Sequence, residues 1–162
     1  MTVYNQFNSK AGLLEAVFDQ VAQHGQVHRL AEAASEPDPD QGLARFVHAC
    51  CALWASNRIV QRRLVGLAAV DPDIEAALHA REQRRAGAAR AVLSRLPGPE
   101  SRLGLRQLDT AVGRLMALTS FATVDALAGP HGDPLASAQL VEALVRCALA
   151  HDRSNPAKET CP

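Results

Sequence analysis

Six apolar residues, Leu43, Phe46, Val47, Cys50, Leu53 and Trp54, recur at i, i+3, i+4, i+7, i+10 and i+11. That spacing lines one side of an α-helix, whereas on a strand it would scatter over both faces. Nothing in the chain offers a strand to pair with it. Aromatic residues make up 4% of the sequence, β-branched residues are sparse, and Ala, Leu, Arg, Gln and Glu dominate. No segment alternates apolar and polar residues for long, so an all-α fold is expected. With 162 residues, 48% of them hydrophobic, the chain can bury one core and is too apolar for disorder.

Turn residues set the expected boundaries. Ser9 can cap a helix that opens at Lys10, carries Leu13, Leu14, Val17, Phe18 and Val21 along one stripe, and runs over 10–34. The Ser35-Glu36-Pro37-Asp38-Pro39-Asp40 run stops it. The stripe from Leu43 to Trp54 is expected to end at Ser56-Asn57, with a shorter apolar segment over 59–70. Asp71 then caps a helix with Pro72 in its first turn, running through Ile74, Leu78 and Arg81 to Leu96 before Pro97-Gly98-Pro99. Two further helices, over 101–127 and 134–151, flank the Gly129-Pro130-His131-Gly132 turn. The polar tail over 153–162 is expected to be disordered.

Formal charge sums to zero, so the whole chain has no electrostatic preference for nucleic acid or an acidic membrane. Residues 1–57 carry three Lys/Arg against six Asp/Glu, 58–106 carry ten against five, and 107–162 carry four against six. The arginine-rich middle reads as a solvated helix face. The four cysteines, Cys50, Cys51, Cys147 and Cys161, form no CxxC pair and no zinc spacing. No signal peptide precedes the first motif, and no apolar run approaches the ~18 residues of a membrane span. A reducing cytoplasm without membrane attachment is therefore expected. His24 and His28 stand at i, i+4 without a third ligand, so no metal site is expected. No other cofactor is expected either. No nucleophile elbow, phosphate loop or catalytic Cys/His signature suggests an enzyme. Cys50 reads as core, and Cys51 as a redox-sensitive thiol only if exposed.

The most specific signal lies at residues 2–18, Thr-Val-Tyr-Asn-Gln-Phe-Asn-Ser-Lys-Ala-Gly-Leu-Leu-Glu-Ala-Val-Phe. A T-x-Y-x-x-F segment leads into S-K and L-L, at Thr2, Tyr4, Phe7, Ser9, Lys10, Leu13 and Leu14. This resembles the junction between the recognition helix and the following long helix in tetracycline-repressor (TetR) family regulators. The resemblance implies a remnant of the recognition helix over 1–9 and a ligand-binding and dimerisation domain over 10–152. It implies that Thr2, Tyr4, Asn5 and Gln6 reach phosphates and base edges of operator DNA, with Lys10 holding a phosphate at the next helix start. Val3 and Phe7, four apart, can face inward. A helix-turn-helix needs two helices ahead of the recognition helix, yet Met1 stands where that helix should begin. By itself this chain is expected to bind operator DNA weakly or not at all. A truncated form, a misplaced start and a natural remnant all fit.

The resemblance further implies a small-molecule-responsive regulator, a repressor by expectation. Ligand entry would shift the helix starting at Lys10 and change the separation of two recognition helices. The expected effector is small and hydrophobic or aromatic. His28, Phe46, Cys50, Trp54, Met116, Thr119 and Phe121 are candidates for its pocket, although each residue type also suits plain core. The last two helices are apolar on more than one side, which points to a homodimer through Leu115, Leu118, Leu140, Leu144 and Cys147. Two alternatives stay open: a dimeric helical ligand-binding or adaptor protein without DNA binding, and a helical enzyme or cofactor binder using His24, His28 or Cys51.

Overall fold

The computed structural model describes residues 10–96 and 105–154, with side chains from 12 to 96 and from 107 to 150. Among these residues every regular element is helical. In chain order they are α1 (Lys10–His24), α2 (His28–Ser35), α3 (Pro39–Ala68), α4 (Pro72–Leu93), α5 (Leu105–Leu118), α6 (Phe121–Ala128), a 3-10 turn (Pro134–Ser137) and α7 (Ala138–Ser154). The DNA-contact candidates Thr2, Tyr4, Asn5 and Gln6 lie outside the described residues, as do Pro97-Gly98-Pro99 and residues 155–162.

Three of these elements begin with the same device. Asp38, Asp71 and Asp133 have extended backbones, and each carboxylate accepts the N–H two residues on, from Asp40 (3.0 Å), Asp73 (3.1 Å) and Leu135 (2.9 Å). Each is followed by proline, whose missing N–H costs nothing in the first turn.

Several expected boundaries differ, each for a tertiary reason. The single helix expected over 10–34 is broken between α1 and α2. Gly25 there is buried, and a Cβ on it would lie 2.1 Å from Leu53 Cδ1 and 2.9 Å from Asn57 Nδ2. Gln26 then takes a left-handed backbone at φ 49°. The break also puts His24 and His28 on separate helices, both exposed, so the continuous helical i, i+4 register between them is lost.

The boundary expected at Ser56-Asn57 is a kink inside α3, where Asn57 adopts φ −121° and ψ 16°. Its side-chain amide donates to Leu53 O (3.2 Å) and across to Val21 O of α1 (3.1 Å), which ties the bend to the end of α1. α4 stops at Leu93 rather than Leu96. The helix expected over 101–127 is split at Thr119-Ser120, where Ser120 Oγ accepts the Thr123 N–H (3.2 Å) and caps α6. The helix expected over 134–151 opens as a 3-10 turn and continues to Ser154, two residues into the expected tail.

The kink divides the interior. The first half of α3 supplies Leu43, Phe46, Val47, Cys50, Leu53 and Trp54 to the main core, against Leu30 of α2, Val92 of α4, Leu115 of α5, Val124 of α6 and Val141 and Val145 of α7. The second half supplies Leu64 to a smaller cluster with Phe18 of α1 and Ile74 of α4. Leu115 is 0% exposed within the main core, so it is not available to a dimer seam. Leu118 is half-buried, whereas Leu140 (50%), Leu144 (38%) and Cys147 are exposed on α7. Among the described residues no single helix is long and apolar enough to cross a membrane.

Gly25 and Gly87 should respond oppositely to alanine. Gly25→Ala is expected to cost about 1–3 kcal/mol because the contact with α3 leaves no room. Gly87, exposed in α4 with nothing within 4 Å of a Cβ, should gain about 0.5–1 kcal/mol. Urea unfolding of the two variants checks both, and a Gly25→Ala midpoint equal to wild type contradicts the close approach.

Candidate ligand-binding cavity

Between the two clusters lies a partly open cavity of about 660 Å³, within the range of small-molecule sites. Phe18 and Val21 of α1, Leu30 of α2, Leu53 and Trp54 of α3, and Leu78 and Ala88 of α4 give it apolar walls. Phe121 closes one side, meeting Trp54 edge-to-face at 5.7 Å between centroids and 69° between planes.

The break between α5 and α6 creates the polar side of the site. Carbonyls at a helix end lose their intrahelical partners. Here Thr119 O accepts from Trp54 Nε1 (2.9 Å) and from Arg85 Nη1 (2.9 Å), which also donates to Thr119 Oγ1 (2.8 Å). Arg85 Nη2 donates to Glu82 Oε2 (2.7 Å) and reaches Met116 O at 3.4 Å. A guanidinium only 5% exposed therefore caps the C-terminal end of α5, where the helix dipole favours a cation. It lies 5.6 Å from the centroid of the Trp54 ring. Its Nε is buried and has no hydrogen-bond partner.

Arg85 belongs to a line along α4. Ile74, Leu78, Arg81, Arg85, Ala89 and Val92 recur every three or four residues, so arginines hold two positions of an otherwise apolar stripe. Arg81 lies over the Phe18 ring at 3.5 Å and donates to Ala77 O (3.0 Å) and to Glu15 Oε2 (3.4 Å). Burial draws its pKa below the usual arginine range, with Glu15 pulling the other way. The arginine-rich middle is thus not wholly a solvated face: Arg84 is exposed, Arg81 is half-buried and Arg85 is in the interior. Glu15 and Asp19 are exposed at the rim.

Of the residues expected at a pocket, Trp54 and Phe121 line the cavity. Phe46 and Cys50 are fully buried in the main core, and Met116 packs half-buried against it. Thr119 is fully buried and contributes through its carbonyl and hydroxyl bonds to Trp54 and Arg85. His28 is exposed and is not part of the lining. Sequence reasoning missed Phe18, Leu30, Arg81 and Arg85. The available signal for the arginines was their register with Ile74 and Leu78.

Cys50 and Cys51 are both fully buried, so Cys51 is not an exposed redox-sensitive thiol. Burial pushes the Cys50 thiol up, against the opposing pull of Arg85, and pushes Cys51 up to about 12 with a further contribution from Cys50. No family model, curated protein or solved structure matches the chain.

With Cys161 replaced by serine, one thiol, Cys147, is expected to react promptly with Ellman's reagent, and Cys50 and Cys51 only on unfolding. A second thiol reacting at the rate of Cys147 contradicts this packing. Because the folded-state values lie above the ordinary 9.0, the stability from burying neutral thiols is complete below that pH. It is lost as pH rises towards the Cys51 value of about 12, and Cys51→Ala should flatten the loss.

Proposed function

We propose that this chain is the effector-binding and dimerisation part of a small-molecule-responsive transcriptional regulator of the tetracycline-repressor type, acting as a cytoplasmic homodimer. The observation that carries the reading is where the cavity sits. Phe18 and Val21 of α1 form part of its wall, and α1 opens at Lys10 within the segment over 2–18 that resembles the family's junction between recognition helix and long helix.

The mechanism follows from the two clusters. A ligand entering between them presses on α1 from one side, while the Asn57 amide holds the other end of α1 to the kink of α3. α1 then turns about that attachment, moving Lys10 at its start and the DNA-contact candidates that precede it in the chain. A ligand that prefers one setting of α1 shifts the population towards it, and two such chains change the spacing of their DNA-contacting segments. The apolar walls favour a hydrophobic or aromatic effector. Leu140, Leu144 and Cys147, exposed at i, i+4 and i+7 of α7, supply the stripe for pairing, with Leu118 of α5 contributing what it leaves uncovered.

N-phenyl-1-naphthylamine is expected to bind saturably, one per chain, with enhanced dye fluorescence. Ala88→Trp, which fills the cavity from α4, should abolish that binding and leave the helical circular dichroism intact. Saturable binding that survives Ala88→Trp contradicts the site. Light scattering should give about twice the 17.3 kDa chain mass, and Leu144→Glu should give the monomer or insoluble protein. A folded dimer after Leu144→Glu places the seam elsewhere.

A further inference from the structure

Two guanidiniums in the apolar stripe of α4 demand an explanation beyond packing. Burying a charge is costly unless its bonding capacity is filled, and that of Arg85 is not. On a guanidinium, Nε–H and one hydrogen of Nη2 point the same way, forming an edge that matches the two oxygens of a carboxylate. On Arg85 the Nε half of this edge is unused. Glu82 occupies Nη2 at 2.7 Å, and Nε is buried with no partner.

Glu82 is also a loosely held occupant. Its side chain is 46% exposed against 4% for Arg85, and it lines the cavity beside it. Swinging it into water costs the buried Arg85 a partner, a loss that an incoming carboxylate on the same guanidinium makes good. One turn earlier, Arg81 faces the same cavity, and its carboxylate partner Glu15 stands at 3.4 Å and is 66% exposed. Both arginines are therefore paired to carboxylates that lean towards solvent.

We infer that the cavity takes an organic monocarboxylate, its apolar body between the two hydrophobic clusters and its carboxylate on the Nε/Nη2 edge of Arg85 in place of Glu82, with Arg81 beside it. This rests on the reading of the cavity as an effector site and gives that effector its charge. A neutral carbonyl can accept from Nε but brings neither the charge nor the second oxygen that would replace Glu82 on Nη2. A dianion such as a phosphate monoester would meet Glu15, Asp19 and Glu82 along the same walls.

Displacement of bound N-phenyl-1-naphthylamine at neutral pH compares naphthalene-1-acetate with its neutral isostere, naphthalene-1-acetamide. The acid is expected to displace the dye at a concentration at least about tenfold lower, the factor a charge-assisted hydrogen-bond pair supplies. Glu82→Gln removes the internal competitor and should strengthen the acid several-fold, and Arg81→Gln should weaken it, both leaving the amide unchanged. Equal displacement by acid and amide overturns the inference and leaves the cavity reading standing. An acid preference unchanged in both variants also overturns it, since the responsible charge then lies elsewhere. Failure of the dye itself to bind saturably removes the cavity reading and this inference together.

Discussion

The carbonyl of Thr119 accepts hydrogen bonds from Trp54 Nε1 and Arg85 Nη1 at the end of α5, and three helices take their positions from that meeting. The carbonyl is free because the helical ladder stops at Leu118. Its two donors come from the middle of α3 and the middle of α4. Once they are fixed, Ser120 can restart the chain as α6 at a different angle, and Phe121 lands on the edge of Trp54. α6 is then held to the far half of α3 by Asp125, which receives Arg58 Nε (2.6 Å) and Arg62 Nε (3.0 Å). Arg58 also donates to the carbonyls of Gly129 and Gly132, which fixes the turn leading to α7.

The same meeting point explains how a guanidinium is tolerated in the interior. Its charge faces a helix C-terminus, where unpaired carbonyls and the dipole offset part of the lost hydration. The kink at Asn57 supplies the other half of the design. It sends the two halves of α3 into different hydrophobic clusters, and the cavity is the seam between them. Gly25 and the Asn57 amide bind the end of α1 to that kink, so α1 is anchored at its last turn and exposed to the cavity along its middle.

Much of the fold was legible in the sequence. The Leu43–Trp54 stripe and the scarcity of strand formers gave an all-α chain, and the Asp-Pro pair at Asp71 marked a true helix start. What escaped were features decided by contact between distant segments. Gly25 looks like an ordinary mid-helix glycine until Leu53 is placed against it. Arg84 and Arg85 read as one charged run, although they point to different sides of α4, one to water and one inward. Leu115, Leu140 and Leu144 are alike in sequence, and only the packed structure distinguishes the leucine filled in by its own chain from the two left exposed. In the cavity, Trp54 and Phe121 were each candidates as large rings on apolar helices, but their edge-to-face contact, between residues 67 apart in sequence, is visible only in the packed structure. The α1 wall and the buried guanidinium were not anticipated, because their role depends on which face of α1 and α4 turns inward.

On this reading, ligand in the cavity is felt by α1. Hydrogen–deuterium exchange with and without saturating N-phenyl-1-naphthylamine tests it most directly. Slower exchange on binding is expected over 18–22 in α1, 78–88 in α4 and the α5–α6 junction around Ser120, with α7 little changed. Protection confined to α7, or saturated dye that leaves α1 exchanging as in the free protein, would contradict it.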